Sequence, residues 1–114
     1  MCIRDSHPVA WASAQLNLAN ALQYLPSVHQ EQNLDEAVHL YEEVLSYRDE
    51  NVDPVGVARV LLNQGNALGH LGALVDADEK LTRARALFER VGDPEGVAAA
   101  DGLLAEVAAA RAGA

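Results

Sequence analysis

Apolar side chains return every three or four positions through two stretches of the chain. The first carries Leu34, Ala37, Val38, Tyr41, Val44 and Leu45; the second carries Leu74, Ala77, Leu81, Ala84, Phe88 and Val91. This spacing marks one face of an α-helix, because 3.6 residues complete a turn. Charged residues fill the gaps, so residues 34–50 and 73–91 are expected to form amphipathic helices. Each is preceded by a segment of small and apolar residues, 8–25 and 54–71, and a fifth segment of that kind covers 94–111. All five are expected to be helices.

The boundaries have local causes. Asp53-Pro54 and Asp93-Pro94 each set a side-chain acceptor before a proline at the first helical position, where no amide donor is needed. Asn33, with Glu36 three residues on, resembles a capping box. Gly72 and Gly92 suit the left-handed residue that ends a helix.

The segments also repeat. Leu16-Asn17-Leu18-Ala19-Asn20-Ala21-Leu22 matches Leu62-Asn63-Gln64-Gly65-Asn66-Ala67-Leu68 at an offset of 46. Leu34, Glu36 and Ala37 match Leu74, Asp76 and Ala77 at an offset of 40, and Asp53-Pro54 matches Asp93-Pro94 at the same offset. The two offsets reconcile through one longer loop, residues 26–33, where the second unit has only Gly72-Ala73. Self-similarity at a fixed period is what stacked architectures leave in a sequence. The chain therefore divides into a first unit (7–53), a second (54–93) and a half unit or capping helix (94–114). Residues 1–6, Met1-Cys2-Ile3-Arg4-Asp5-Ser6, do not join the pattern. They resemble a translated sequencing adaptor and are read as a non-native or disordered segment.

Composition narrows the function. Half of the residues are apolar but only 4% are aromatic, which favours helices over strands. The net charge of -9 argues against a nucleic-acid or anionic-membrane surface. One cysteine, Cys2, cannot form an internal disulfide, and neither a secretory signal nor a membrane span is evident. A cytoplasmic location is the expectation.

Gly65, Ala77 twelve residues later, then Leu81, Ala84 and the start at Pro94 resemble the tetratricopeptide repeat. The run Trp11-Ala12, Gln15 and Asn17-Leu18-Ala19-Asn20-Ala21-Leu22 is similar to repeats found beside bacterial caspase-like CHAT domains and in large bacterial regulators. The resemblance covers about residues 8–111. It departs from the family in a unit of about 40 residues where 34 is usual, and in Ala19 standing where Gly65 stands in the second unit. The family implies an all-α, right-handed solenoid of antiparallel helix hairpins, here two full repeats plus one helix. It implies a bacterial scaffold or regulatory protein that binds a peptide or partner protein in a concave groove lined by the first helix of each pair.

Carried onto this sequence, that groove is lined by two matching stripes. One is Ser13, Leu16, Asn17, Asn20, Gln23 and Tyr24; the other is Arg59, Leu62, Asn63, Asn66, Gly69 and His70. Asn17, Asn20, Asn63 and Asn66 could hold a peptide backbone, since side-chain amides both donate and accept. Their alternative role is to bond inward and order the stack. Leu16 and Leu62 would form an apolar floor, with Arg59 as the cationic contact. A carboxylate clamp, which needs several lysines and arginines, does not fit these stripes.

No catalytic constellation stands out. His39 and Glu43 share a helix face near Glu36, but without an HExxH or paired-cysteine motif they read as surface polar groups. The glycines match neither phosphate-binding nor dinucleotide patterns. Trp11 lies on the apolar side of its helix and is expected in the core. The expectation is a binding module, not an enzyme, with no cofactor or metal. Its alternative is a structural array that self-associates through exposed repeat ends or packs against a neighbouring domain.

Overall fold

The computed structural model describes residues 8–24 and 29–113, in five α-helices: α1 (Pro8–Tyr24), α2 (Gln30–Leu45), α3 (Pro54–His70), α4 (Leu74–Val91) and α5 (Pro94–Gly113). Residues 1–6, read above as foreign to the pattern, lie outside the described residues, as do Leu25 and residues 26–28 of the long loop.

Where a capping signal involves proline or glycine, the helix ends where the sequence predicts. The Asp53 carboxylate accepts from the Gly56 amide at 3.0 Å, and Asp93 from the Gly96 amide at 3.1 Å. Gly72 and Gly92 take φ of +81° and +74°. In both turns the following residue reaches back to a carbonyl of the last helical turn, Ala73 to Leu68 and Asp93 to Phe88.

The second helix departs from expectation at both ends. It begins at Gln30, not Leu34, and the Asn33 amide donates to the His29 carbonyl, so Asn33 lies within the first turn and heads no capping box. It stops at Leu45, five residues short of Glu50. There Ser46 Oγ bonds the Glu43 carbonyl at 2.6 Å, and Asp49 turns the chain by accepting from the Asn51 amide at 2.8 Å. Short polar side chains of this kind compete with helical hydrogen bonds.

Successive helices pack against one another in antiparallel pairs. Early residues of α3 (Val57, Ala58, Leu61) meet late residues of α4 (Ala84, Leu87, Phe88), while Leu68 meets Ala77 and Leu81. Trp11, Ala12 and Ala19 of α1 share a cluster with Ala37, Tyr41 and Val44 of α2 and with Val60 of α3. Trp11 is therefore core, with the Tyr47 ring against it edge-on at 4.9 Å. Beyond these neighbours, α1 touches α3 and α3 touches α5, whereas α2 and α4 do not approach at backbone level. The molecule is 19 Å deep in its thinnest direction, about two helix diameters.

Side chains span the gap between α2 and α4. Lys80 Nζ lies 3.5 Å from Glu42, and Arg83 reaches to within 3.8 Å of Glu50 in the turn that follows α2. The acidic residues of α2 are thus partly offset by α4. The buried Gln64 amide donates to Glu42 at 2.6 Å and, with Lys80 nearby, holds that carboxyl below its ordinary range.

Small residues set the closest helix contacts. A Cβ added at Gly65 would stand 2.6 Å from Leu81 Cγ, and Ala77 beside it is fully buried. Gly65→Leu and Ala77→Leu are each expected to destabilise the fold by about 1–3 kcal/mol, because overpacking forces backbone shifts. Denaturant titration checks this; midpoints equal to the parent's would contradict the packing described.

Candidate functional site

The layer formed by α1, α3 and α5 carries the predicted stripes. The joint between α1 and α3 is polar and largely internal. Gln23, near the end of α1, is only 5% exposed. Its Nε2 donates to Tyr41 Oη of α2 at 2.9 Å and to the Asn63 carbonyl of α3 at 3.1 Å, and its Oε1 accepts from Asn66 Nδ2 at 2.8 Å. One side chain therefore ties three helices together. Tyr41 is fully buried, and its hydroxyl donates to Asn20 Oδ1 at 2.5 Å. Burial raises the Tyr41 pKa, keeping the hydroxyl protonated as that donor. Tyr24 closes the outer side, donating to Asn63 Oδ1 at 3.2 Å.

The predicted site residues divide accordingly. Asn20, Asn63 and Asn66 are half-buried, and their amides are engaged within the chain. Asn17 and Arg59 are exposed on the same layer. Leu16 and Leu62 are partly buried and pack against the core clusters. The Ser13 side chain lies outside the described residues.

A cleft of about 120 Å³ opens further along the layer, between α3 and α5. Asn66, Gly69 and His70 of α3 face Leu103 and Glu106 of α5 across it, and Leu81 of α4 contributes to the wall. Reading the stripes from sequence found Gly69 and His70 but missed Leu81, Leu103 and Glu106. The signal was present: at an offset of 40, Leu103 and Glu106 occupy the places of Asn63 and Asn66.

The charged groups elsewhere make local pairs. His39 Nδ1 lies 2.8 Å from the Asp35 carbonyl, one turn back on its own exposed helix face. Arg85 bonds Asp101 at 2.6 Å and Glu89 at 2.8 Å. Among the described residues, no group of three or more His, Cys, Asp or Glu side chains is arranged to hold a metal ion. No protein-family model, curated protein or solved structure matches the chain.

Gly69 separates packing from function. An added Cβ there would meet only Val107 Cγ2, at an ordinary 3.8 Å. Gly69→Ala is therefore expected to stabilise the fold slightly, by up to about 0.5 kcal/mol, less than the mid-helix gain because Gly69 lies in the last turn of α3. A loss of stability in thermal or denaturant unfolding would show that the glycine is a packing requirement.

Proposed function

We propose that this chain is a tetratricopeptide-like interaction module that binds a peptide or partner protein along the layer of α1, α3 and α5. The observation that carries the reading is the asymmetry between layers. The first helices of successive pairs touch one another, and the second helices are held apart and bridged by the Lys80–Glu42 ion pair. Such a spread curves a helical array so that its first helices line the inner surface. That surface offers the exposed Asn17 and Arg59, accessible edges of the asparagine cluster, and the cleft beside Gly69. Side-chain amides suit a peptide backbone. Each such hydrogen bond would contribute about 0.5–1.5 kcal/mol net. The function is binding, in a bacterial, cytoplasmic scaffold or regulator, and not catalysis.

A second reading has its own support. Leu18 of α1 matches Gln64 of α3 by position, yet Leu18 is 46% exposed while Gln64 is 1% exposed. Gln64 lies against α2, donating to the Val38 carbonyl; the matching face of α1 has no helix on it among the described residues. An exposed leucine there favours packing against a second copy or a neighbouring domain. Sedimentation of the parent and of Leu18→Gln separates the readings: association lost in the variant would support this one.

The peptide-binding reading is tested by selecting displayed random peptides on the 114-residue chain and measuring the winners by calorimetry. Asn17→Ala and Arg59→Ala should each weaken binding about 2–10-fold, consistent with one lost polar contact, whereas Glu36→Ala and Glu43→Ala on α2 should not. Enrichment of no peptide, or sensitivity confined to α2, would overturn it.

A further inference from the structure

The chain contains the same place twice, once filled and once open. In the joint between α1 and α3 the polar cluster consists of Asn20, Gln23, Tyr24, Tyr41, Asn63 and Asn66. The offset of 46 carries the three α1 residues onto Asn66, Gly69 and His70; the offset of 40 carries the other three onto Leu81, Leu103 and Glu106. All six of those residues line the cleft between α3 and α5. Where the first joint has the Gln23 side chain, the second has a hydrogen atom. Where the first has Tyr41, the second has the shorter Leu81. The cleft thus opens where the first joint is closed by the Gln23 side chain.

The fold does not demand this opening. Gly65, one turn before, must be small because Leu81 lies against it, but at Gly69 a side chain would fit. A glycine in the last turn of α3 still carries a conformational cost, and here it has no packing return. Sites that sacrifice stability in this way are characteristic of function.

The chemistry of the walls identifies what enters. Leu74 and Leu103 offer apolar contact above the buried Leu81 and Val107, and the exposed Glu106 supplies a carboxylate. The described ion pairs do not include Glu106. The nearest cation on α5, Arg111, is directed to Asp78 at 3.6 Å. On α3, Arg59 lies ten residues from Gly69, about 15 Å along the helix. His70 shares the rim. The chain as a whole carries a charge of -9, which draws cationic partners toward it.

We propose that the cleft beside Gly69 receives one lysine side chain of a partner polypeptide, its stem on Leu74 and Leu103 and its ammonium at the Glu106 carboxylate. A four-carbon stem ending in a compact charge matches an apolar slot with an acid at its mouth. The inference rests on the peptide-binding reading above and names the chemistry of one subsite.

The test is amide chemical-shift mapping of the whole chain with three blocked pentapeptides, in which glycines flank a central lysine, norleucine or glutamate. The lysine peptide should move the resonances of Gly69, Leu103 and Glu106. The norleucine peptide should bind about threefold more weakly, the usual scale of a rim ion pair, and the glutamate peptide should leave those resonances unmoved. Glu106→Gln should reduce the lysine peptide to the norleucine level. Gly69→Gln, which rebuilds the plug of the first joint, should abolish the effect without lowering the melting temperature. Norleucine binding as tightly as lysine would overturn the cationic assignment. Shifts confined to the surroundings of Asn17 and Arg59 would overturn this subsite and leave the groove reading standing. The absence of shifts anywhere on α1, α3 and α5, with all three peptides, would overturn both.

Discussion

A buried side-chain amide must find partners for its donors and its acceptor, and that requirement at Gln23 governs how the first helix pair meets the second. Leaving such a group unpaired costs about 1–3 kcal/mol, more than one paired bond contributes. Gln23 is satisfied only when Tyr41 of α2 and both Asn63 and Asn66 of α3 stand around it. Apolar packing brings these helices together, but it tolerates small slides and rotations. The amide does not, because its partners come from two other helices at once. The joint therefore acts as a register pin set in an otherwise apolar stack.

The same position explains where open surface remains. The stack forms a second joint with α5 using the same backbone arrangement, but with Gly69, Leu81, Leu103 and Glu106 in place of the polar set. Apolar residues close the deep part, through Leu68, Leu81 and Val107. The space that Gln23 would fill stays empty. A filled joint and an open cleft are thus alternative outcomes at one repeated position, decided by whether its side chain is present.

Much of the fold was legible along the chain because local rules govern it. Asp53-Pro54, Asp93-Pro94, Gly72 and Gly92 end or begin helices through their own stereochemistry, so α3, α4 and the start of α5 fall within one residue of expectation. The ends of α2 were not legible. Gln30 to Asn33 carry no apolar marker to announce a helix, and the stop after Leu45 depends on Ser46 and Asp49 outcompeting a segment that still looks helical. At the site, periodicity placed Asn20, Asn63 and Asn66 on one layer, but it could not say that their amides point into a joint. That depends on the distance between α1 and α3. Gln64 illustrates the same limit: it matches the exposed Leu18, yet it is buried because α2 lies against α3.

The most direct test of this account is a double-mutant cycle between Gln23 and Asn66, measured by denaturant unfolding of Gln23→Ala, Asn66→Ala and the pair. A shared, buried hydrogen bond across α1 and α3 predicts a coupling energy of about 0.5–3 kcal/mol, with the double variant losing less than the sum of the singles. Losses that add within about 0.3 kcal/mol would contradict the pin, and with it the explanation of the open cleft as the same joint lacking its amide.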